Sequence, residues 1–145
     1  TGLYGNFGQA NYGAAKLALV GLMNTIKLEG AKNDIRINAI SPVAATRMTE
    51  NLMPPEILSK LGPEQVTPGV VYLASKDAPN GAILTAGAGV SALAQITETE
   101  GVYLGQGANA EAVRDHWAQI TDPAGREAYS GGHMQTQKFM RKLQG

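Results

Sequence analysis

Apolar residues recur at helical spacing near the start of the chain. The positions that share this spacing are Ala14, Leu17, Ala18, Leu22 and Ile26. This period matches one face of an α-helix, so a helix is predicted from Gln9 to about Gly30, where the glycine provides a C-terminal stop. Leu19, Val20 and Met23 lie outside the stripe, which predicts a helix that is buried on two sides.

Strand and helix patterns alternate through the middle of the chain. The segment IRINAISPV, residues 35–43, is rich in β-branched residues and is bounded by turn formers, so it predicts a short strand. Residues 46–61 are apolar at helical spacing but contain two adjacent prolines, which predicts two short helices with a break, in the manner of a lid. Another helix is predicted over residues 66–75, and a short apolar strand over residues 82–86.

The last third of the chain carries weaker patterns. A weak alternation of apolar and polar residues favours a hairpin around Glu98 to Gly101. A helix is predicted from its capping residue Asn109 to about Thr121, with Trp117 in the core. From Gly125 onward, glycines, glutamines and scattered charges predict a loosely attached tail that ends in a short helix over residues 139–143.

Composition narrows the classes of function. Twelve basic residues balance twelve acidic ones, so neither nucleic acid nor an anionic membrane is an expected partner. The chain contains no cysteine, which excludes disulfides and cysteine-ligated zinc. No metal site and no membrane span are expected, and the pattern is typical of a soluble, intracellular protein. The first residue is Thr1 rather than Met, so part of a longer chain is expected to be missing.

The candidate chemistry lies in Tyr12 and Lys16, which are four residues apart on the predicted helix. Side chains at this spacing share one helix face and can act on one site. A free phenol is a poor proton shuttle at neutral pH, whereas a fixed ammonium nearby favours the phenolate. The spacing alone is more often that of a surface pair, but small residues around the pair allow a close approach to the helix.

The surrounding motifs resemble a known family. YGNFGQANYGAAKLALVGL resembles the Tyr-x-x-x-Lys helix of short-chain dehydrogenases/reductases, and RINAISPVAATRMTE resembles the strand and loop that follow it. The similarity in order and spacing covers about residues 1–90. The motifs GNFGQANY, RMTE, MPPE, AGAG and EAVRDHW resemble the (3R)-hydroxyacyl-CoA dehydrogenase domains of type 2 peroxisomal multifunctional enzymes and their bacterial relatives. This extends the resemblance to about Asp122, with residues 123–145 as a tail.

The resemblance implies an α/β fold and a redox reaction. The fold would be the C-terminal half of a Rossmann-like doubly wound parallel sheet, without its N-terminal βαβ units. The reaction would interconvert a 3-hydroxyacyl-CoA and a 3-oxoacyl-CoA, as in fatty-acid β-oxidation, with NAD as cofactor and NADP not excluded. The resemblance also implies a homodimer or a dimer of dimers. The expected location is the cytoplasm, or the peroxisome if a targeting signal is present elsewhere.

The resemblance also assigns roles to individual residues. Tyr12 would exchange the hydroxyl proton, while Lys16 would hold the nicotinamide ribose and favour the phenolate. Asn6 and Phe7 would lie on the substrate side. The remaining residues would contact the cofactor: Pro42, Val43 and Ala44 at the nicotinamide, and Thr46 and Met48 on the covering loop.

Several features of the family are absent from this sequence. The catalytic serine, the glycine-rich loop and the catalytic asparagine would all precede Thr1. The sequence therefore leaves open an enzyme whose upstream half is supplied by another segment, or a catalytically incomplete fragment that acts as a noncatalytic interaction or assembly module. Gly87-Ala88-Gly89 lacks the third glycine of a dinucleotide-binding loop. We therefore interpret these small residues as ones needed for packing at the last strand of the sheet.

Overall fold

The computed structural model describes residues 1–46 and 54–144 of the chain. These residues form two compact units, Thr1–Ala94 and Gln95–Gly145. The division at residues 122/123, which the resemblance implies as the end of the dehydrogenase part, stays a prediction. Within the described ranges, no helix is long and apolar enough to cross a membrane.

The first unit opens with the predicted long helix. Helix α1 spans Ala10–Glu29 and ends at Gly30, whose N–H donates to Ile26 O at 2.8 Å. Its buried residues, Val20 and Met23, form a small core with Ile83. Burial on two sides is not seen in the described part of the chain. Elsewhere on its circumference, the helix is about half exposed at Leu17, Leu19, Leu22 and Leu28.

A three-stranded sheet packs against this helix. Strands β1 (Ala39–Pro42) and β2 (Ile83–Gly87) are parallel, whereas β3 (Val90–Ala94) is antiparallel to β2. The two parallel strands confirm the predicted α/β sheet. The hairpin predicted around residues 98–101 is wrong, because the β2–β3 turn lies at Ala88 and Gly89, both of which have positive φ as two-residue hairpin turns require.

Strand β1 is shorter than predicted because side chains, rather than a strand ladder, hold the residues before it. Arg36 Nη1 donates to the carbonyl oxygens of Lys76 and of Ala78, the latter at 3.0 Å. Asn38 Nδ2 donates to Pro79 O at 2.7 Å, and Asn38 Oδ1 accepts from the Ala82 N–H at 2.9 Å. These bonds hold the residues that precede β1 next to the residues that precede β2, and we call these two segments the strand entries.

The connection between these strands covers the other face of the sheet. Helices α2 (Pro55–Leu58) and α3 (Thr67–Leu73) are separated by a short 3-10 turn. A Cβ on Gly69 would lie 2.8 Å from Leu84 Cδ2, so α3 packs tightly on β2 at this glycine. Helix α3 confirms the prediction for residues 66–75, and α2 matches the second of the two short helices. The first short helix falls largely on residues outside the described ranges.

The second unit differs most from expectation. The single helix predicted from Asn109 is two short helices, α4 (Ala110–Asp115) and α5 (Trp117–Ile120). Asn109 caps α4 as predicted, with its Oδ1 accepting from the Ala112 N–H at 2.9 Å. Trp117 is not a core residue, because 58% of its surface is exposed.

The predicted loose tail is instead a docked helix, α6 (Gly132–Gln144). Lys138 is 4% exposed on this helix, and its ammonium pairs with Glu98 and donates to Thr99 O at 3.0 Å. It also lies 5.6 Å from the ring centroids of Tyr129 and Phe139. The sequence prediction failed because the long stem of a lysine can be buried when its charge is paired.

The Glu98–Lys138 pair shifts the pKa values of both groups. The hydrogen bond from Lys138 lowers the pKa of Glu98 below its ordinary value of 4.5. Burial opposes the charge on Lys138, but hydrogen bonds to Glu98 and Tyr129 raise the pKa of Lys138 above 10.5. Both shifts favour the charged pair across the neutral range.

We expect the second unit to lose stability when this pair is titrated. Because the folded pKa of Glu98 is depressed, the pair stabilises the fold above about pH 4.5, and its contribution is lost as pH falls through the folded value. The measurement is urea unfolding followed by Trp117 fluorescence at several pH values. In a Lys138→Met variant, the free energy of unfolding should fall by about 1 kcal/mol less between neutral and acid pH than in the unchanged protein, a value that allows for the partial exposure of Glu98. The same fall in both proteins would contradict this role.

Candidate active site

A cavity of about 300 Å³ lies between α1 and β1 in the first unit. Its walls come from three segments: the opening loop, the sheet-facing side of α1, and the first two strands. The lining residues are Thr1, Gly2, Leu3, Tyr12, Lys16, Leu17, Leu19, Val20, Ala39, Ile40, Ser41, Pro42 and Ile83. The cavity therefore includes both members of the predicted acid/base pair.

Tyr12 and Lys16 face the same site, as their spacing predicts. Lys16 Nζ lies 5.3 Å from the centroid of the Tyr12 ring. Tyr12 is 48% exposed, so its phenol is accessible to a ligand from the cavity. The pair therefore places a hydroxyl and an ammonium at the same cavity, which is a combination suited to proton exchange with a ligand.

Ser41 is a polar residue of the cavity that the sequence analysis did not identify. Gly69 is part of α3, and a Cβ added to it would lie 3.5 Å from Ile40 Cδ1, so the Ile40 side chain faces α3. The preceding residue, Ala39, packs instead into the core beneath α1. Because side chains alternate along a strand, Ser41 faces α1. Its hydroxyl makes no hydrogen bond to the described residues. In the sequence, the only indication that Ser41 belongs to the site is its position in the ISPV motif, directly before Pro42.

The opening loop is held against α1 at one end. Thr1 Oγ1 donates to Gln9 Oε1 at 2.7 Å, and Gly5 N donates to Thr1 O at 2.7 Å. Gly5 and Gly8 have φ values of 78° and 76°, a region in which glycine is favoured. A Cβ on Gly2 would lie 2.8 Å from Leu17 N. The loop therefore forms a cavity wall that rests directly on the helix backbone.

The predicted substrate residues lie on the same loop but do not line the cavity. Asn6 Nδ2 donates to Gln9 Oε1 at 3.3 Å, which closes the turn before α1. Phe7 is fully exposed. Their assignment to the substrate stays a prediction.

The predicted cofactor residues follow the end of β1. Pro42 lines the cavity, while Val43 N extends the parallel ladder by donating to Ala86 O at 2.8 Å. Ala44 and Thr46 continue this segment outside the cavity lining, and Met48 lies outside the described residues. Of the five predicted residues, the cavity thus includes Pro42.

The cavity has features that suit the nicotinamide end of a dinucleotide. Its lining combines the Lys16 ammonium and the hydroxyls of Tyr12 and Ser41 with the apolar side chains of Leu19, Val20 and Ile83. A ribose needs hydrogen-bond partners and a nicotinamide ring needs a flat apolar contact, so the lining fits both. Among the described residues, no group of three or more His, Asp or Glu side chains could hold a metal ion.

Comparisons with known proteins identify similar sequences. Residues 1–56 match the family described as short chain dehydrogenase. A Mycobacterium tuberculosis protein named as a short-chain type dehydrogenase/reductase is 48% identical over 126 residues, covering 86% of this chain and 44% of its own. An acetoacetyl-CoA reductase of Rhizobium meliloti is 39% identical over 88 residues, covering 53% of this chain and 36% of its own.

A solved structure shows the same fold. Full-length peroxisomal multifunctional enzyme type 2 from Drosophila melanogaster superposes with a TM-score of 0.82 and 31% identity, covering 98% of this chain and 26% of that one. The fold and these matches define an α/β protein of the short-chain dehydrogenase type. The chain belongs to the short-chain dehydrogenase/reductase family, which confirms the resemblance found in its sequence. It spans less than half the length of these relatives.

We expect Gly2 to be necessary for the wall of the cavity. In a Gly2→Ala variant the new methyl group would lie 2.8 Å from Leu17 N and 3.0 Å from Lys16 Cβ, so the loop must move away from α1. The free energy of unfolding should fall by about 1–3 kcal/mol, measured by urea denaturation. Gly21→Ala is the matched control, because nothing lies within 4 Å of its added Cβ and alanine favours a helix by about 1 kcal/mol. Equal effects of the two substitutions would refute the close contact.

Proposed function

We propose that this chain carries the acid/base half of an NAD-dependent dehydrogenase that interconverts 3-hydroxyacyl-CoA and 3-oxoacyl-CoA. The observation that carries the proposal is that Tyr12, Lys16 and the carboxyl end of β1 line the same cavity. A reaction at a secondary alcohol needs a group that removes or returns the hydroxyl proton. Tyr12 is the accessible acid/base of this cavity.

Each residue has a distinct role in this proposal. The Tyr12 phenolate takes the proton from the substrate alcohol in oxidation, and the resulting hydroxyl returns it in reduction. The Lys16 ammonium, 5.3 Å from the ring centroid, brings a positive charge to the site and donates hydrogen bonds to the ribose hydroxyls. Pro42 presents an apolar surface to the nicotinamide, and the Ser41 hydroxyl supplies a further hydrogen-bond partner. NAD, when bound, supplies the hydride acceptor, and NADH the donor.

The substrate class has separate support. The Rhizobium meliloti relative is named for a 3-oxoacyl-CoA substrate, acetoacetyl-CoA, and the Drosophila relative is a peroxisomal multifunctional enzyme. We extend the acyl-CoA class to this chain on those names and on the sequence motifs. A homodimer and a cytoplasmic location, or a peroxisomal one where a targeting signal exists, belong to the same proposal.

A chimera tests the proposal. The segment of the Mycobacterium tuberculosis relative that precedes its match to Thr1 is fused to this chain, and NAD reduction is followed with 3-hydroxybutyryl-CoA. Tyr12→Phe should lower kcat at least about 100-fold, because it removes the proton-transfer group and leaves the ring. Lys16→Met should raise KM for NAD as well as lower kcat, because it removes both the ribose contact and the charge.

Tyr4→Phe is the matched control, since Tyr4 is 83% exposed and does not line the cavity. It should leave both constants unchanged. A folded chimera whose activity survives Tyr12→Phe would overturn the assignment of Tyr12. A folded chimera that binds NADH but oxidises no 3-hydroxyacyl-CoA would overturn the substrate class.

The second candidate is a noncatalytic interaction or assembly module. It is favoured by strand β1, which within the described residues pairs only with β2 and so has an open edge. NADH titration of the 145-residue chain separates the two functions. Saturable binding that is weakened by Lys16→Met would reject the noncatalytic function, whereas binding only in the chimera would indicate that another segment completes the enzyme.

A further inference from the structure

Asn80 joins three parts of the first unit. Its Nδ2 donates to the carbonyl oxygen of Lys27, near the C-terminal end of α1, at 3.1 Å. Its Oδ1 accepts from the backbone N–H of Ile37, on the approach to β1, at 3.1 Å. Asn80 itself precedes β2. One amide side chain therefore links a helix end to the entries of both parallel strands.

The next residue, Gly81, cannot be replaced without strain. Its φ of 83° lies in the left-handed region, and its N–H donates to Ile37 O at 2.8 Å. A Cβ at this position would lie 2.5 Å from Lys27 Cδ. The structure therefore requires glycine after Asn80, and this is the only Asn-Gly pair in the sequence.

An Asn-Gly pair has an intrinsic reactivity because glycine places no side chain between the two reacting groups. We propose that Asn80 is a deamidation site whose reaction is controlled by opening of these hydrogen bonds. The Gly81 nitrogen attacks Asn80 Cγ, a C–N bond forms, and the bond from Cγ to the amide nitrogen breaks. The proton from Gly81 leaves with that nitrogen as ammonia. Water then opens the cyclic imide at either carbonyl, giving aspartate or isoaspartate.

The folded structure opposes the first step at each reacting group. The attacking nitrogen has its N–H bonded to Ile37 O, and the amide under attack is held at both ends, by Lys27 O and by the Ile37 N–H. The side chain must turn toward its own backbone to react, which breaks both of its bonds. The reaction therefore proceeds from a locally opened state. Its observed rate is the rate in that state multiplied by the fraction of molecules that are open.

The product cannot restore the linkage. An ionised aspartate has acceptors but no donor, so it cannot bond to the Lys27 carbonyl oxygen and instead brings a negative charge beside it. Isoaspartate also adds a methylene to the main chain before β2. Each opening event that ends in reaction thus removes the bond between residue 80 and the Lys27 carbonyl oxygen permanently.

The test compares the rate of deamidation in the folded and unfolded chain. The 145-residue protein is incubated at 37 °C and pH 8 with and without 8 M urea, and the conversion of Asn80 is followed by peptide mass spectrometry. Conversion should be at least about tenfold slower without urea, since opening that costs 1.4 kcal/mol already reduces the rate tenfold. Equal rates in the two arms would overturn the control by structure.

A pair of variants tests the consequence. Asn80→Asp reproduces one product and should lower the midpoint of urea unfolding. Asn33→Asp is the control, because Asn33 is exposed on a short 3-10 turn and its side chain makes no hydrogen bond to the described residues. If Asn80→Asp unfolds at the same urea concentration as Asn33→Asp, the linkage through Asn80 is not a stabilising one and the proposal fails.

Discussion

The packing of α1 against the parallel strands is the constraint on which the rest of the first unit depends. Val20 and Met23 meet Ile83 in the core, which fixes the helix on the sheet. The helix then runs opposite to β1, so that its N-terminal half shares a cavity with Ser41 and Pro42 at the carboxyl end of the strand. Its C-terminal end is held by Asn80 at the strand entries. A ligand site at the carboxyl ends of the strands follows from this geometry, as is general in open α/β sheets.

The parts of the fold that the sequence predicted are those set by local periodicity and by motif spacing. Helix α1 is long and periodic, and Tyr12 and Lys16 needed only helical geometry to share one face. The pairing of β3 with β2 and the full length of helix α6 were not predicted. Helix α6 depends on a partner distant in the chain, because its Lys138 pairs with Glu98. Val90 and Leu93 in β3 are exposed on a short edge strand, so their pattern carries no clear burial signal. Lys138 is a charged residue in a buried position, which no hydropathy pattern predicts.

The candidate site shows the same division between local and distant effects. Pro42 was predicted from the motif and lines the cavity, but the orientation of Ser41 toward α1 depends on which face of the sheet each helix covers. Gly69 takes part in this arrangement, because it lets α3 approach Leu84 on the opposite face. Such packing between elements distant in the chain is not visible in the pattern of a single strand.

The polar side chains near the two ends of α1 differ in exposure and in hydrogen bonding. At the N-terminal end, Tyr12 and Lys16 are exposed to the cavity and are supported by a loop that rests on the helix through Gly2. At the C-terminal end, the polar groups of Arg36, Asn38 and Asn80 are bonded to backbone groups of the first unit. Accessible groups can exchange protons with a substrate, whereas bonded groups resist movement. The helix therefore presents Tyr12 and Lys16 to the cavity at one end, while near its other end the Lys27 carbonyl oxygen is bonded by Asn80.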